Sequence, residues 1–391
     1  MASPRLAYQI AALTLFRVLV NTGRRFVYPF APALSRGLEV PLGAITSIIA
    51  VSQFSSLLGV FSGPLADRFG YRRVMRSALA MLAVGMLACG LVPTYWPVFV
   101  GLVVASLGKV VFDPAIQAFV GSRVPFNRRG RVVGIIETAW AGSTLVGIPA
   151  LALIIDHIGL SNSFIVMGLL GGLCWLAIPW FIPADRVEEP AGFTRVPLLA
   201  MLARLVRIRS AAGMLIFGFF ISIANDGLFV VYGAWFEHDF QIGIVALGFS
   251  TIAIGSAELI GESMVALFAD RIGIKRATIG GFSLAACAYL LLPVIGQTLA
   301  LAMVGMFLLF LCYEFAIVSS FSLSTELVPE ARATMMAGFY ATAGVGRMVG
   351  VLLGGLAWEA GGIQLVCWLA AGSTGCGVLA LLWGLRGWRP A

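Results

Sequence analysis

Long apolar runs recur along the whole chain, and they constrain its fold more than any other feature. A helix needs about 20 mostly apolar residues to cross the hydrocarbon core of a bilayer, at about 1.5 Å per residue. Runs of that kind lie near 7–33, 42–66, 74–93, 97–121, 131–155 and 162–183. Six more lie near 212–236, 244–268, 276–295, 299–324, 333–357 and 363–385. Of the 391 residues, 60% are hydrophobic and only 11% are charged. Ordinary soluble domains hold about 25% charged residues, so this chain cannot coat several soluble cores. Disorder is excluded too, because it requires low hydrophobicity and high charge. The expected fold is an all-α membrane protein with twelve transmembrane helices.

The charges that remain are placed by topology. On the termini and the even-numbered connections fall 20 of the 26 Lys and Arg residues, against Arg36 alone on the odd-numbered ones. Cytoplasmic loops collect Lys and Arg, so both termini are expected in the cytoplasm. The net charge of +8 is therefore topogenic and not a nucleic-acid-binding face. The first run exceeds the core of a signal peptide, about 7–15 residues, and is expected to remain as a helix. Cys89, Cys174, Cys287, Cys312, Cys367 and Cys376 all sit in apolar runs and form no disulfide framework. His157 and His238 are far apart in outward connections, which gives no metal pair. No Gly-x-x-x-x-Gly-Lys-Ser/Thr segment exists, so nucleotide hydrolysis is not expected to supply energy. No metal and no cofactor is expected.

The chain repeats itself once. After the second run it reads Gly63-Pro-Leu-Ala-Asp67-Arg68-Phe-Gly70-Tyr71-Arg72-Arg73, and after the eighth Ala266-Leu-Phe-Ala-Asp270-Arg271-Ile-Gly273-Ile274-Lys275-Arg276. Asp67 and Asp270 are 203 positions apart. Val124-Pro125-Phe-Asn-Arg128 returns as Val328-Pro329-Glu-Ala-Arg332 at an offset of 204. Two motifs at nearly one offset divide the chain into an N-terminal six-helix bundle (1–185), a linker (186–210) and a C-terminal six-helix bundle (211–391). The second part of the linker, from Val196 to Arg209, reads as a basic amphipathic helix on the cytoplasmic membrane surface.

On these motifs the sequence resembles the major facilitator superfamily of secondary transporters over its whole length. The Gly-x-x-x-Asp-Arg-x-Gly-x-Arg-Arg segment is that family's most specific signature. Here Tyr71 and Ile274 replace a usual basic residue, while Arg72 and Lys275 keep the next one. The resemblance implies two bundles rocking about a site at the midplane. It also implies that spans 1, 4, 7 and 10 line the cavity and that spans 3, 6, 9 and 12 face lipid. The signature, Gly63, Asp67, Arg68, Gly70, Arg72 and Arg73 with the second copy's Asp270 and Arg271, would then hold the cytoplasmic side closed. An Asp at a helix end does this physically by capping the unpaired N–H groups of a neighbouring helix.

Charges inside the spans mark the candidate site, because each costs about 2.5–3.5 kcal/mol on insertion unless it faces protein or water. Away from the span ends, eleven occur: Arg17, Arg24, Arg25, Lys109, Asp113, Glu137, Asp226, Glu258, Glu262, Glu314 and Arg347. Spans 3, 6, 9 and 12 hold none. Arg17, Asn21, Arg24 and Tyr28 form one helical stripe, and Lys109, Asp113 and Gln117 another. Mutual neutralisation within span 4 is the competing explanation for Lys109 and Asp113. Snorkelling to the surface is the competing explanation for Arg24 and Arg25. Glu258 and Glu262 share a face, so one is expected to be protonated or paired with Arg347. Gly346, Gly350 and Gly354 permit close packing of span 11.

The substrate-facing candidates are Arg17, Asn21, Arg24, Tyr28, Lys109, Asp113, Tyr313 and Arg347. Proton coupling falls to Asp226 and Glu314, with Glu137 third. By resemblance the function expected is proton-coupled, alternating-access export of a small organic solute, as in bacterial drug/proton antiporters. Three departures weaken a cationic substrate. The fifth-span motif survives only as Gly142 and Gly147-Ile148-Pro149, the fourth-span arginine has no clear counterpart, and arginines replace a first-span carboxylate. A proton-linked symporter for an organic anion is therefore the second expectation. A polytopic membrane enzyme ranks last, since it needs a nucleophile–base pair or a histidine at depth. The expected partners are a small-molecule substrate, protons and the lipid bilayer, with no nucleic acid. The chain is expected to act as a monomer in a bacterial inner (plasma) membrane.

Overall fold

The computed structural model describes residues 4–55, 58, 69–124, 126–183, 205–328 and 332–388. Gly63, Asp67 and Arg68, the side chain of Asp270, and the linker up to residue 204 lie outside the described residues. Among the described residues there is no strand.

The first helices are α1 (Pro4–Arg25), α2 (Ala31–Gly37), α3 (Leu42–Phe54), α4 (Tyr71–Leu91) and α5 (Tyr95–Arg123). Then come α6 (Phe126–Gly142), continued through a π turn at Ser143–Gly147 into α7 (Ile148–Ile158), and α8 (Leu160–Phe181). The later helices are α9 (Arg209–Phe240), α10 (Ile244–Met264), α11 (Ile274–Ile295), α12 (Leu299–Leu327) and α13 (Arg332–Gly384). Among the described residues, ten helical stretches are long and apolar enough to cross a membrane, or eleven if α2 and α3, bent by 118°, make one span. At 53 residues α13 would run about 80 Å, more than twice the hydrocarbon thickness. It is broken at Gly361 and Gly362, where the backbone leaves the helical region. That break falls between the eleventh and twelfth apolar runs.

The chain forms two compact units, Met1–Phe193 with Gly243–Ile252, and Thr194–Ile242 with Ala253–Ala391. In the first, α4 packs on α5 and α8 through small residues. A Cβ at Gly85 would lie 2.4 Å from the Gly101 carbonyl oxygen, and one at Gly168 would lie 2.6 Å from Leu87. In the second, α9 packs on α13 with backbones in contact. Cβ atoms at Gly346, Gly350 and Gly354 would fall 2.2, 2.5 and 2.3 Å from the carbonyl oxygens of Phe219, Ile223 and Gly227. Both sets of partners advance by four residues, so the small-residue stripe of span 11 is a close-packing seam. Beside it Phe217, Phe282, Tyr313 and Phe339 build the aromatic part of the core.

The repeat is visible in the backbone. Gly70 (φ 83, ψ 144) and Gly273 (φ 90, ψ 125), equivalent residues of the two signature copies, immediately precede α4 and α11. Only glycine adopts that conformation without strain, which explains its place in the motif. Gly159 and Gly362, also 203 positions apart, have positive φ at the starts of the sixth and twelfth runs.

Candidate functional site

In the first unit the buried charges converge. Arg17 Nε donates to Asp113 Oδ1 at 3.0 Å, and Arg17 Nη1 lies 2.9 Å from Glu137 Oε1. Nη1 also donates to the Ile136 carbonyl at 3.1 Å. Lys109 Nζ donates to Asp113 Oδ2 and to Asn21 Oδ1, both at 2.6 Å. Asn21 Nδ2 donates to the Ala139 carbonyl at 3.1 Å, and Gln117 Nε2 to Glu137 Oε1 at 3.0 Å. The internal Lys109–Asp113 pair therefore exists, but the carboxylate is shared with Arg17 from another helix. Two cations and two carboxylates pair here, with Arg24 a third cation in electrostatic range of Lys109.

Exposure within this cluster is uneven. The side chains of Arg17 and Lys109 are 8% and 6% exposed, whereas those of Asp113 and Glu137 are 27% and 39% exposed. The cations are screened and committed to partners. The carboxylates form the accessible face, and Glu137 Oε2 has no partner among the described residues.

The span-1 stripe needs correction at its far end. α1 stops at Arg25, and Tyr28 lies in a turn. Pro29 lacks an N–H and disfavours a helical Tyr28, so the chain bends there. Tyr28 rejoins the stripe through Gln53, whose Nε2 donates to the Tyr28 hydroxyl at 2.6 Å while its Oε1 accepts from Arg24. Arg24 and Gln53 line a small recess with Gly23, Val27, Leu102 and Ser106. Arg25 does not snorkel. It is buried, with its guanidinium 4.0 Å from the centre of the Trp140 ring and Nη1 donating to the Trp140 carbonyl at 3.2 Å. Gln53, Trp140 and the carbonyls of Ile136 and Ala139 are absent from the sequence-based candidates. Only Trp140, one helical turn beyond Glu137, carried a usable signal.

The second unit gathers Asp226, Tyr313, Glu314 and Arg347. Asp226, Tyr313 and Glu314 are buried, and Asp226, Glu314 and Arg347 all lie within electrostatic range of the Tyr313 hydroxyl. Asn225 Nδ2 reaches Asp226 Oδ2 at 3.4 Å. Glu314 packs on α10 at Gly261, where an added Cβ would meet Glu314 Cβ at 2.9 Å. Arg347 Nε is buried with no hydrogen-bond partner among the described residues.

The signature's Gly70, Arg72 and Arg73 lie at the start of α4, and Arg271 of the second copy lies in a short helical turn, Asp270–Ile272, before α11. His157 and His238 are exposed beside Asp156 and Asp239. No group of three metal-ligating side chains occurs among the described residues.

Comparison with known proteins bears on this arrangement. A family model described as Major Facilitator Superfamily matches residues 13–330 and 214–390. The MFS-type transporter YceJ of Bacillus subtilis is 22% identical over 347 residues, covering 87% of this chain and 87% of its own length. The multidrug resistance protein MdtG of Salmonella arizonae is 33% identical over 174 residues, 41% of this chain and 42% of its own. Among solved structures, a POT family transporter in complex with a thioalcohol-conjugated peptide is similar in fold. Its TM-score is 0.82 at 13% identity, over 98% of this chain and 96% of that one.

Proposed function

The chain belongs to the major facilitator superfamily of integral membrane transporters, and from that premise we propose that it is a proton-coupled secondary transporter exporting a small organic cation. Twelve spans, cytoplasmic termini, a monomeric state and a bacterial inner-membrane location complete the proposal. The break of α13 at Gly361–Gly362 supports the twelfth span. Partial likeness to a multidrug resistance protein supports export.

The observation that carries the choice of a cation is the exposure pattern around Arg17. An incoming solute meets the Asp113 and Glu137 carboxylates, not the guanidinium behind them. Arg17 Nε and Nη1 and Lys109 Nζ already donate to carboxylates, Asn21 and the Ile136 carbonyl. They orient the acids and offer little to an anion. Coulombic attraction in a site partly shielded from water favours a positive solute there. Glu137 is the docking carboxylate, since one of its oxygens remains open. Asp226 and Glu314 carry the coupling proton, and the signature around Asp67 sets the conformational balance.

Flux into sealed liposomes tests this choice. With an imposed pH gradient, a labelled monovalent organic cation moves and a carboxylate of equal size does not. Glu137→Gln lowers the initial rate of cation movement about tenfold while the protein stays monodisperse. Gradient-driven accumulation of the carboxylate instead, with Glu137→Gln without effect, assigns the chain to organic-anion symport.

A further inference from the structure

The two halves are equivalent in sequence, yet their polar centres are occupied differently. Asn21-Thr22-Gly23 in α1 matches Asn225-Asp226-Gly227 in α9 at the offset of 204. α5 and α12 are both 29 residues long, begin 204 positions apart and follow Thr94 and Thr298. At that offset Lys109 corresponds to Tyr313.

In the first unit, Asn21 Oδ1 accepts from an ammonium group, the Lys109 Nζ at 2.6 Å, which Asp113 Oδ2 neutralises at 2.6 Å. The Trp140 ring centre lies 5.6 Å from the same nitrogen. In the second unit the lysine is missing. Among the described residues, Asn225 Oδ1 is shielded from solvent and has no hydrogen-bond partner. The Tyr289 hydroxyl, on a fully buried side chain, has none either. It lies within electrostatic range of Asp226 and Tyr313. A shielded polar atom without a partner costs about 1–3 kcal/mol, so two in one cluster call for an occupant.

The surroundings define that occupant. Asp226 and Glu314 bring two carboxylates into the same buried cluster, with Arg347 also in electrostatic range of Tyr313. Aromatic rings stand alongside. Phe229, one turn after Asn225, packs on Phe310, one turn before Tyr313, with ring centres 6.0 Å apart. Acceptor oxygens and carboxylates beside aromatic side chains together suit a cation that carries N–H bonds.

We propose that Asn225, with Asp226, Tyr313 and Glu314, forms a binding site for a protonated organic amine, whose ammonium group takes the place that the Lys109 ammonium holds in the first unit. This rests on the cationic-solute function proposed above and narrows it to amines that keep a hydrogen on nitrogen. A quaternary ammonium would satisfy the charge and the rings but leave Asn225 Oδ1 without a donor. Sharing Asp226 and Glu314 between the ammonium and the coupling proton would make the two ions compete, which is the basis of exchange.

The full-length protein is tested by thermal stabilisation, titrated with phenethylammonium and with its trimethylated quaternary analogue. The parent protein binds phenethylammonium about tenfold tighter, the usual worth of one hydrogen bond to a charged donor. In Asn225→Leu that ratio falls to about one. Tyr313→Lys rebuilds the first unit's arrangement in the second, occupies the site with its own ammonium and abolishes amine binding. If Asn225→Leu does not fold, Tyr313→Lys decides. The inference is overturned if the parent does not distinguish the two compounds, if Asn225→Leu keeps the preference, or if Tyr313→Lys binds like the parent. In those cases, cation flux that still depends on Glu137 leaves the proposed function standing. Failure of the parent to bind or move either amine removes both.

Discussion

Arg17 shows what a single buried charge does in this protein. Its guanidinium holds two carboxylates from two other helices and a backbone carbonyl, so it ties α1 to α5 and α6. Arg17→Gln leaves Asp113 and Glu137 facing each other with one cation between them. Loss of a fully buried partner costs about 3–5 kcal/mol, and the partial exposure of these acids reduces that to about 2–4 kcal/mol. The apparent melting temperature in detergent should fall accordingly. Arg17→Gln combined with Glu137→Gln should recover part of the loss, because the second change removes the uncompensated charge. A drop in the double variant equal to the sum of the singles would contradict the pairing. These residues were legible in the sequence, since a charge at membrane depth always needs a reason. Their partners were not. Spacing along one helix cannot show that Asp113 is shared with Arg17, nor that the carbonyls of Ile136 and Ala139 accept side-chain donors. Tyr28 was misplaced because helical spacing was carried past Pro29.

At the scale of the element, glycine decides where helices approach and where they stop. Gly350 and Gly354 bring α13 onto the carbonyls of Ile223 and Gly227. Neither backbone can retreat without the whole helix moving, so Gly350→Ala should cost about 1–3 kcal/mol as overpacking. Gly172→Ala, where nothing lies within 4 Å, should be neutral or slightly stabilising. Gly70→Ala loses about 1–3 kcal/mol for another reason, because its φ of 83 with ψ of 144 excludes a side chain. Melting temperatures of the three variants, purified in one detergent, check the order. Equal behaviour of Gly350→Ala and Gly172→Ala would disprove the close-packing seam. The four-residue glycine spacing announced this seam in the sequence, but its partner helix was not announced. The π turn at Ser143–Gly147 had no signal, because a one-residue slip in helical bonding leaves no compositional trace.

For the whole molecule, the repeat was the most informative feature of the sequence. It located both halves and the equivalent glycines. It also marked the positions where the halves differ, with Lys109 set against Tyr313 and Thr22 against Asp226. Substrate charge could not be read that way, because three arginines in span 1 suggest an anion, and only the structure shows Arg17 and Arg25 buried while Arg24 is half-buried beside Gln53. The central claim is that movement of an organic cation and of a proton are one process. It is tested most directly by recording pH inside sealed proteoliposomes that hold a fluorescent proton indicator and no imposed pH gradient. When an outward gradient of phenethylammonium is established, the lumen should acidify as protons enter in exchange. Asp226→Asn or Glu314→Gln should lower that signal to the rate of protein-free liposomes, where neutral amine leaves its proton behind, while amine-for-amine exchange persists at raised amine concentration. Amine efflux at the parent rate with no change in luminal pH, in the parent protein itself, would contradict proton coupling.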